Sequence, residues 1–491
     1  LRRAEPREGR SIGGVTLKFA KRVFALLAVL ALAVLAAGNL LLWPQRNDLK
    51  LDGEVLYGER ADAAGVRLSY DRELESHLNW SIDYDLGTGE QTMQSDWTLK
   101  GDGREGASPV EPQISLTINM GNNSHSWNSG EPDFHSEYVY DVYADMVEMA
   151  GDAETYTRRL RLNDYTDIMP VTAEVHGANV YEDLYEYTFD YDVSEYFPIP
   201  LPEEVWMEVM LERGVDGSRL SIEFLDSQYI GGVYDSSLCA ADGNLYIKFC
   251  VRDEEGALLD GSRMPGGSWG VYRIPCEDDT IRLSGMELVY AIGEEVQGEA
   301  LLLSEDRERL LIFTAEDDAL YLNVMDAGSG ELLQRQLLLV GSEWSFSESY
   351  TLADATSGAD VTPVDGYYVL DVGNVLQVLS EGGGLYTPVL TVDTSNPPAP
   401  ECYENEGYYV RSGGSVFYAT DGERLVVLNN SSVDDYSDPE NSTMTGYLQV
   451  NVYDGSGLIY SEWLTGQFER VNAYNRTLTL PRRTLDVSIE Q

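Results

Sequence analysis

Lysine nearly vanishes from this chain after residue 50: only Lys100 and Lys248 remain, beside 22 arginines. Residues 51–491 carry 24 basic groups against 81 acidic ones, a net of −57 where the whole chain carries −51. Such a surface repels nucleic-acid phosphates and anionic lipid heads, so nucleic acid is not an expected partner. Attraction to cations or to a basic partner stays open beside plain solubility, because charge of this kind does not set the fold.

Histidine and cysteine are scarce too. His77, His125, His135 and His176 form no HExxH or other metal pair, which argues against a zinc hydrolase. His125 and His135 sit in the polar stretch 121–136, which reads as a surface loop. Cys239, Cys250, Cys276 and Cys402 include no CxxC spacing, so neither a zinc ribbon nor a thioredoxin-like site is expected. A disulfide among the first three and buried free thiols are both open, the thiols being favoured. No phosphate-cradling GxxxxGK[ST] and no dinucleotide fingerprint occurs, which sets nucleotide chemistry aside.

Long apolar runs are missing everywhere but in residues 23–43, an uncharged stretch of Ala, Leu and Val. At 1.5 Å per residue it spans roughly 30 Å, the thickness of a bilayer core. Arg2, Arg3, Arg7, Arg10, Lys18, Lys21 and Arg22 precede it, which places residues 1–22 in the cytoplasm as a basic tail. Trp43 suits the interface and Pro44 ends the helix. Cleavage after Ala36-Ala37-Gly38 is the rival reading, but a signal core runs to about 15 residues and this one is longer. Either way the remainder lies outside the cytoplasm, and with the anchor kept it stays at the cell membrane.

That remainder is rich in strand chemistry, with 32 Tyr to build cores. Residues 114–120, 158–162 and 171–175 alternate, and 185–192 is strictly period two. Residues 139–149 fit a strand or a short helix equally. In the second half, Asp242, Asp306, Asp365 and Asp421 each mark a turn feeding an apolar strand. Three further Asp/Gly turns, around Asp253, Asp326 and Asp454, read as hairpins following three of those units. The expected fold class is an all-β ectodomain after one transmembrane helix, with β-propeller-like repeats; a β-sandwich or other antiparallel architecture is the alternative. Residues 44–229 are then extra blades or a separate sandwich, and 230–491 the repeat domain. The Pro-rich stretch 197–202 offers a seam.

Motifs with chemical meaning are few. Gly266-Gly267-Ser268-Trp269-Gly270 fits GxSxG, but Met264-Pro265 precedes it and a strand-like segment follows, so a Gly-rich loop is the better reading. Asp434, Asp435, Asp438 and Glu440 gather hard oxygen ligands in one acidic stretch, a candidate calcium site without the EF-hand spacing. No catalytic or cofactor-binding residues are assigned. A basic tail, one anchor and a Tyr/Asp-rich β ectodomain resemble uncharacterised single-pass membrane-anchored extracytoplasmic proteins of Gram-positive bacteria. The resemblance transfers no functional residue.

A membrane-tethered binding, sensing or scaffold protein is therefore expected, holding an extracellular ligand or another membrane protein. One alternative is an accessory subunit of a transporter or secretion complex, contacting its partner through small anchor residues such as Ala33, Ala37 and Gly38. Another is a hydrolase of wall polymers or glycans. If the acidic stretch binds calcium, millimolar calcium raises the melting temperature beyond what matched magnesium does. The Asp435→Asn, Asp438→Asn variant then loses that difference, whereas an equal response to both ions means charge screening alone.

Overall fold

The computed structural model describes residues 22–34, 50–74, 78–97, 111–118, 124–128, 137–177, 179–180, 190–201, 204–213, 219–227, 234–253, 256–277, 280–344, 351–398, 408–411, 416–435, 443–472 and 483–490. Of the expected anchor, residues 23–34 are helical and exposed, and 35–43 lie outside the described residues. Among the described residues no helix is long and apolar enough to cross a membrane. The rest is mostly antiparallel β in several small sheets.

Contacts divide the chain into two compact units, one of residues 1–102 with 396–491 and one of residues 103–395. In the first unit, strand Leu51–Tyr57 pairs with Gly457–Asn472, which continues through Thr443–Asp454 to Arg424–Asp435. The second sheet of this unit sets Arg483–Ile489 against Val66–Leu74, followed by Leu78–Asp85 and Gln91–Trp97. Each sheet thus joins an early strand to a late one.

A buried carboxylate ties these two sheets together. Glu462 has no solvent exposure, and its Oε1 takes the Arg60 guanidinium at 2.6 Å and the Tyr84 hydroxyl at 2.7 Å. Its Oε2 accepts the Tyr460 hydroxyl at 2.6 Å. Burial and the carboxylate acceptor push the Tyr84 phenol up to about 12. Gly53, opposite Leu464 in the neighbouring strand, makes room, since a Cβ there would stand 2.1 Å from Glu462 Oε1.

Within the 103–395 unit, three four-stranded meanders follow one another along the chain. The first runs Leu238–Cys239, Leu245–Phe249, Gly270–Ile274, Glu287–Ala291. The second runs Val296–Leu303, Arg309–Glu316, Ala319–Asp326, Leu332–Val340, and the third Asp360–Val364, Tyr367–Val372, Val375–Gly382, Leu385–Asp393. Earlier strands build two more four-stranded sheets, one holding Gln113–Ile118 and Val171–His176, the other Thr155–Arg161 and Trp206–Arg213. The Pro-rich stretch lies inside this unit, with Phe197 and Ile199 fully buried in its core.

The four marker aspartates occupy one position in their sheets: each turn joins a first strand to a second. For Asp421 the first strand is Val416–Thr420. Asp242, Asp306 and Asp421 each accept the backbone N–H two residues on, from Asn244, Glu308 and Glu423, at 3.0 Å in all three. The residue after the aspartate is left-handed throughout, as Gly243, Gly366 and Gly422, with Arg307 at φ 60 in the remaining turn. The second set of turns is less regular. Asp326 and Asp454 do join third strands to fourth, but Asp253 follows a second strand, because an excursion from 250 to 269 interrupts that meander.

One segment left open in the sequence is decided, and another differs from its reading. Residues 137–150 form a helix, Glu137–Ala150, burying Val139, Val142, Met146 and Ala150 along one face. His125 belongs to a strand, Ser124–Asn128, paired with Arg219–Ser227, so that part of the polar stretch is not a loop. Of the period-two stretch 185–192, the described part is strand Asp190–Asp192.

The Asp421 turn gives a pH test. Burial pushes its carboxyl up, but N–H groups of Arg424 and Glu423 and the Arg424 guanidinium outweigh that and hold it below the usual range. A depressed carboxyl contributes stability above its unfolded value and loses it as pH falls through the folded one. At pH 7, Asp421→Asn keeps the turn acceptor, loses the ion pair, and melts about 1–3 °C below the parent. That gap closes on acidification below about pH 4, as thermal melts across pH will read.

Candidate functional site

A cleft of about 510 Å³ opens in the 103–395 unit. The helix Glu137–Ala150 supplies Tyr138 and Asp141 to it, beside the face that the helix buries. The turn leaving the short helix Leu162–Asp164 supplies Tyr165, Thr166 and Ile168, with Pro170 behind them. Asp192, Ser194 and Glu195 complete the wall where strand Asp190–Asp192 ends.

Hydrogen bonds set this wall. Ser194 accepts the Val171 N–H at 2.9 Å and donates its own hydroxyl to Asp192 Oδ1 at 2.5 Å. The Ser194 N–H reaches the same oxygen at 3.0 Å. Thr166 Oγ1 donates to the Ile168 carbonyl at 2.9 Å and accepts the Ile168 N–H at 3.2 Å, which closes the opposite turn. The Tyr165 hydroxyl donates to Asp145 Oδ2 at 2.9 Å. Burial first, and that acceptor second, push Tyr165 up to about 12. Burial and then Asp192 raise Tyr138 as well. Both rings are therefore neutral phenols at physiological pH.

None of the nine lining residues is His, Cys, Lys or Arg. The Ser194 hydroxyl holds a turn and faces a carboxylate, with no imidazole to take its proton. What the cleft offers is carboxylate and phenol oxygens, plus two aromatic rings.

Residues singled out in the sequence fall elsewhere. Ser268 is extended (φ −156, ψ 156) between the turn Pro265–Gly267 and strand Gly270–Ile274, and donates to the Trp269 carbonyl at 3.1 Å. A strand where an elbow needs a helix leaves GxSxG a structural turn. Asp434 and Asp435 are strand residues, Asp434 in register with Tyr409 and Met444, Asp435 with Tyr408 and Thr443. Asp438 and Glu440 lie outside the described residues, as do His77, His135 and Cys402. His176 pairs with Glu174 at 3.1 Å, and no His/Cys/Asp/Glu group suited to a metal occurs among the described residues.

Cys239 and Cys250 are free thiols. Cys250 is buried and donates to Glu299 Oε1 at 2.7 Å, beside Arg252 at 2.7 Å and Lys248 at 3.9 Å on the same carboxylate. Burial first, then the Glu299 charge, raise this thiol far above its ordinary value, so it is no nucleophile. The cleft itself had no signal in the sequence: Tyr138, Asp141, Tyr165 and Asp192 form no motif, and acidic residues are everywhere.

No protein-family model matches the chain, and no curated protein matches it. Among solved structures, the periplasmic gluconolactonase of Pseudomonas aeruginosa is similar at 11% identity and TM-score 0.25, over 86% of this chain and 99% of that one. TolB from Acinetobacter baumannii is similar at 7% identity and TM-score 0.19, over 86% and 82%. The WD40 domain of SCAP from fission yeast is similar at 9% identity and TM-score 0.21, over 79% and 72%. Likenesses this faint carry no argument about fold or chemistry.

Ser268→Ala removes one hydroxyl that bonds its neighbour's carbonyl. Its melting temperature should stay within about 2 °C of the parent, and turnover in any hydrolase assay should be unchanged. Selective loss of turnover in a folded variant would restore the motif as chemistry.

Proposed function

We propose that this chain is a membrane-tethered extracytoplasmic binding protein, with residues 23–43 as its anchor and the Tyr138/Asp192 cleft as its ligand site. The observation that carries the reading is the cleft: a concave site of ligand-sized volume, walled by three chain segments and furnished with fixed acceptors and aromatic rings. Lacking a nucleophile–base pair, its lining suits holding a ligand better than cleaving one. The scaffold we propose is propeller-like, each four-stranded meander forming a blade. Repeated Asp turns between first and second strands support it, as do sheets shared by early and late strands. Loops at strand ends then become the surface where function sits.

The test is a small-molecule screen of the full chain in detergent by saturation-transfer NMR, run against a Glu195→Trp variant whose added ring fills the cleft from an exposed position. Most ligands seen with the parent should be lost from the variant while its melting curve stays cooperative. A folded variant that keeps the parent's ligands would sink the assignment of the cleft.

A further inference from the structure

We infer that this cleft takes an organic cation, an ammonium or quaternary-ammonium group seated between the tyrosine rings and the carboxylates; the inference rests on the cleft being a ligand site. Four buried or partly buried acids elsewhere have an arginine: Glu462 has Arg60, Glu299 has Arg252, Glu381 has Arg309 and Asp421 has Arg424. Asp141, Asp192 and Glu195 differ. None of the three forms an ion pair among the described residues, although all line one cleft.

Two bases lie outside the lining: Arg158, which acts on Tyr165, and Arg263, paired with Asp167 between the lining residues Thr166 and Ile168. Asp192 is already oriented by two bonds from Ser194, which leaves its second oxygen for a ligand. Tyr138 packs partly against the core and lines the cleft with the rest of its side chain, making no hydrogen bond to any described residue. Aromatic faces beside carboxylates form the environment in which an alkylammonium gains from ring quadrupoles and charge together. Like charges gathered in a concave wall also repel an anionic ligand, so the same residues select against phosphate or carboxylate ligands.

Choline and n-butylammonium are the probes, with 3,3-dimethylbutan-1-ol and n-butanol as neutral counterparts, titrated into the full chain in detergent at fixed ionic strength. At least one cation should bind about tenfold tighter than its neutral counterpart. Glu195→Gln, an exposed change that leaves the fold alone, and Asp192→Asn should each weaken that binding about tenfold, whereas Glu294→Gln, outside the cleft, should leave it unchanged. Equal binding of the neutral counterparts overturns the cation assignment and leaves the cleft a ligand site. Cation binding that all three variants change alike, or none changes, assigns it to diffuse surface acidity and overturns the inference. Failure of every probe also overturns it, and the filled-cleft screen then decides separately whether the site stands.

Discussion

A carboxylate buried without solvent contact is tolerable only when every lone pair finds a donor, and the first unit is organised around one such group. Glu462 sits in a strand late in the chain; Arg60 and Tyr84 come from early segments, one a short turn and the other a strand of the second sheet. Removing a partner from a buried pair typically costs about 3–5 kcal/mol, because the remaining charge stays desolvated. The constraint reaches beyond the pair. Gly53 has to lack a side chain, since the neighbouring strand crosses where a Cβ would strike the carboxylate. Tyr460, in the same strand, supplies the last donor. Early and late portions of the chain are thereby held in register by polar geometry as well as by apolar burial.

The same device recurs in the second unit. Glu299 opens one meander and receives Arg252, Lys248 and Cys250 from the meander before it. Glu381 of the third meander takes Arg309 of the second. Arginine's planar fork meets a carboxylate with two parallel donors and remains weakly hydrated, which suits it to such half-buried seams. Some of the few cations of this strongly acidic chain thus sit where sheets meet, while others pair at the surface.

The marker turns were legible in sequence because their chemistry is local. An aspartate that accepts the N–H two residues on, followed by a left-handed residue, is written in four or five letters. Asp242 and Asp421 show it with glycine next, and Asp306 with Arg307 bearing the positive φ; Asp365 shares the left-handed glycine alone. Residues governed by distant partners were not legible. Nothing in the letters of Leu51–Tyr57 names Gly457–Asn472 as its neighbour, and the turn at Asp253 looked like its fellows until an excursion displaced its partner strand. Residues 137–150 read ambiguously since Tyr and Val favour strands while Met, Glu and Ala favour helices, and burial of one helical face settled the matter.

The cleft was hidden for a different reason. In a chain this acidic, a carboxylate carries almost no information by itself, so Asp141, Asp192 and Glu195 could not stand out from 81 acidic groups. The calcium candidate drew on the same background, and two of its residues turn out to be strand positions. What distinguishes one acid from another is its counter-charge, and that is a property of the fold. Glu462, Glu299 and Glu381 are matched by arginine and bind sheet to sheet. Three acids at the cleft have no such match among the described residues, and they share their wall with two neutral tyrosines. Where cations are scarce, an acidic hollow unmatched by any of them is a part of the surface on which an external cation has much to gain.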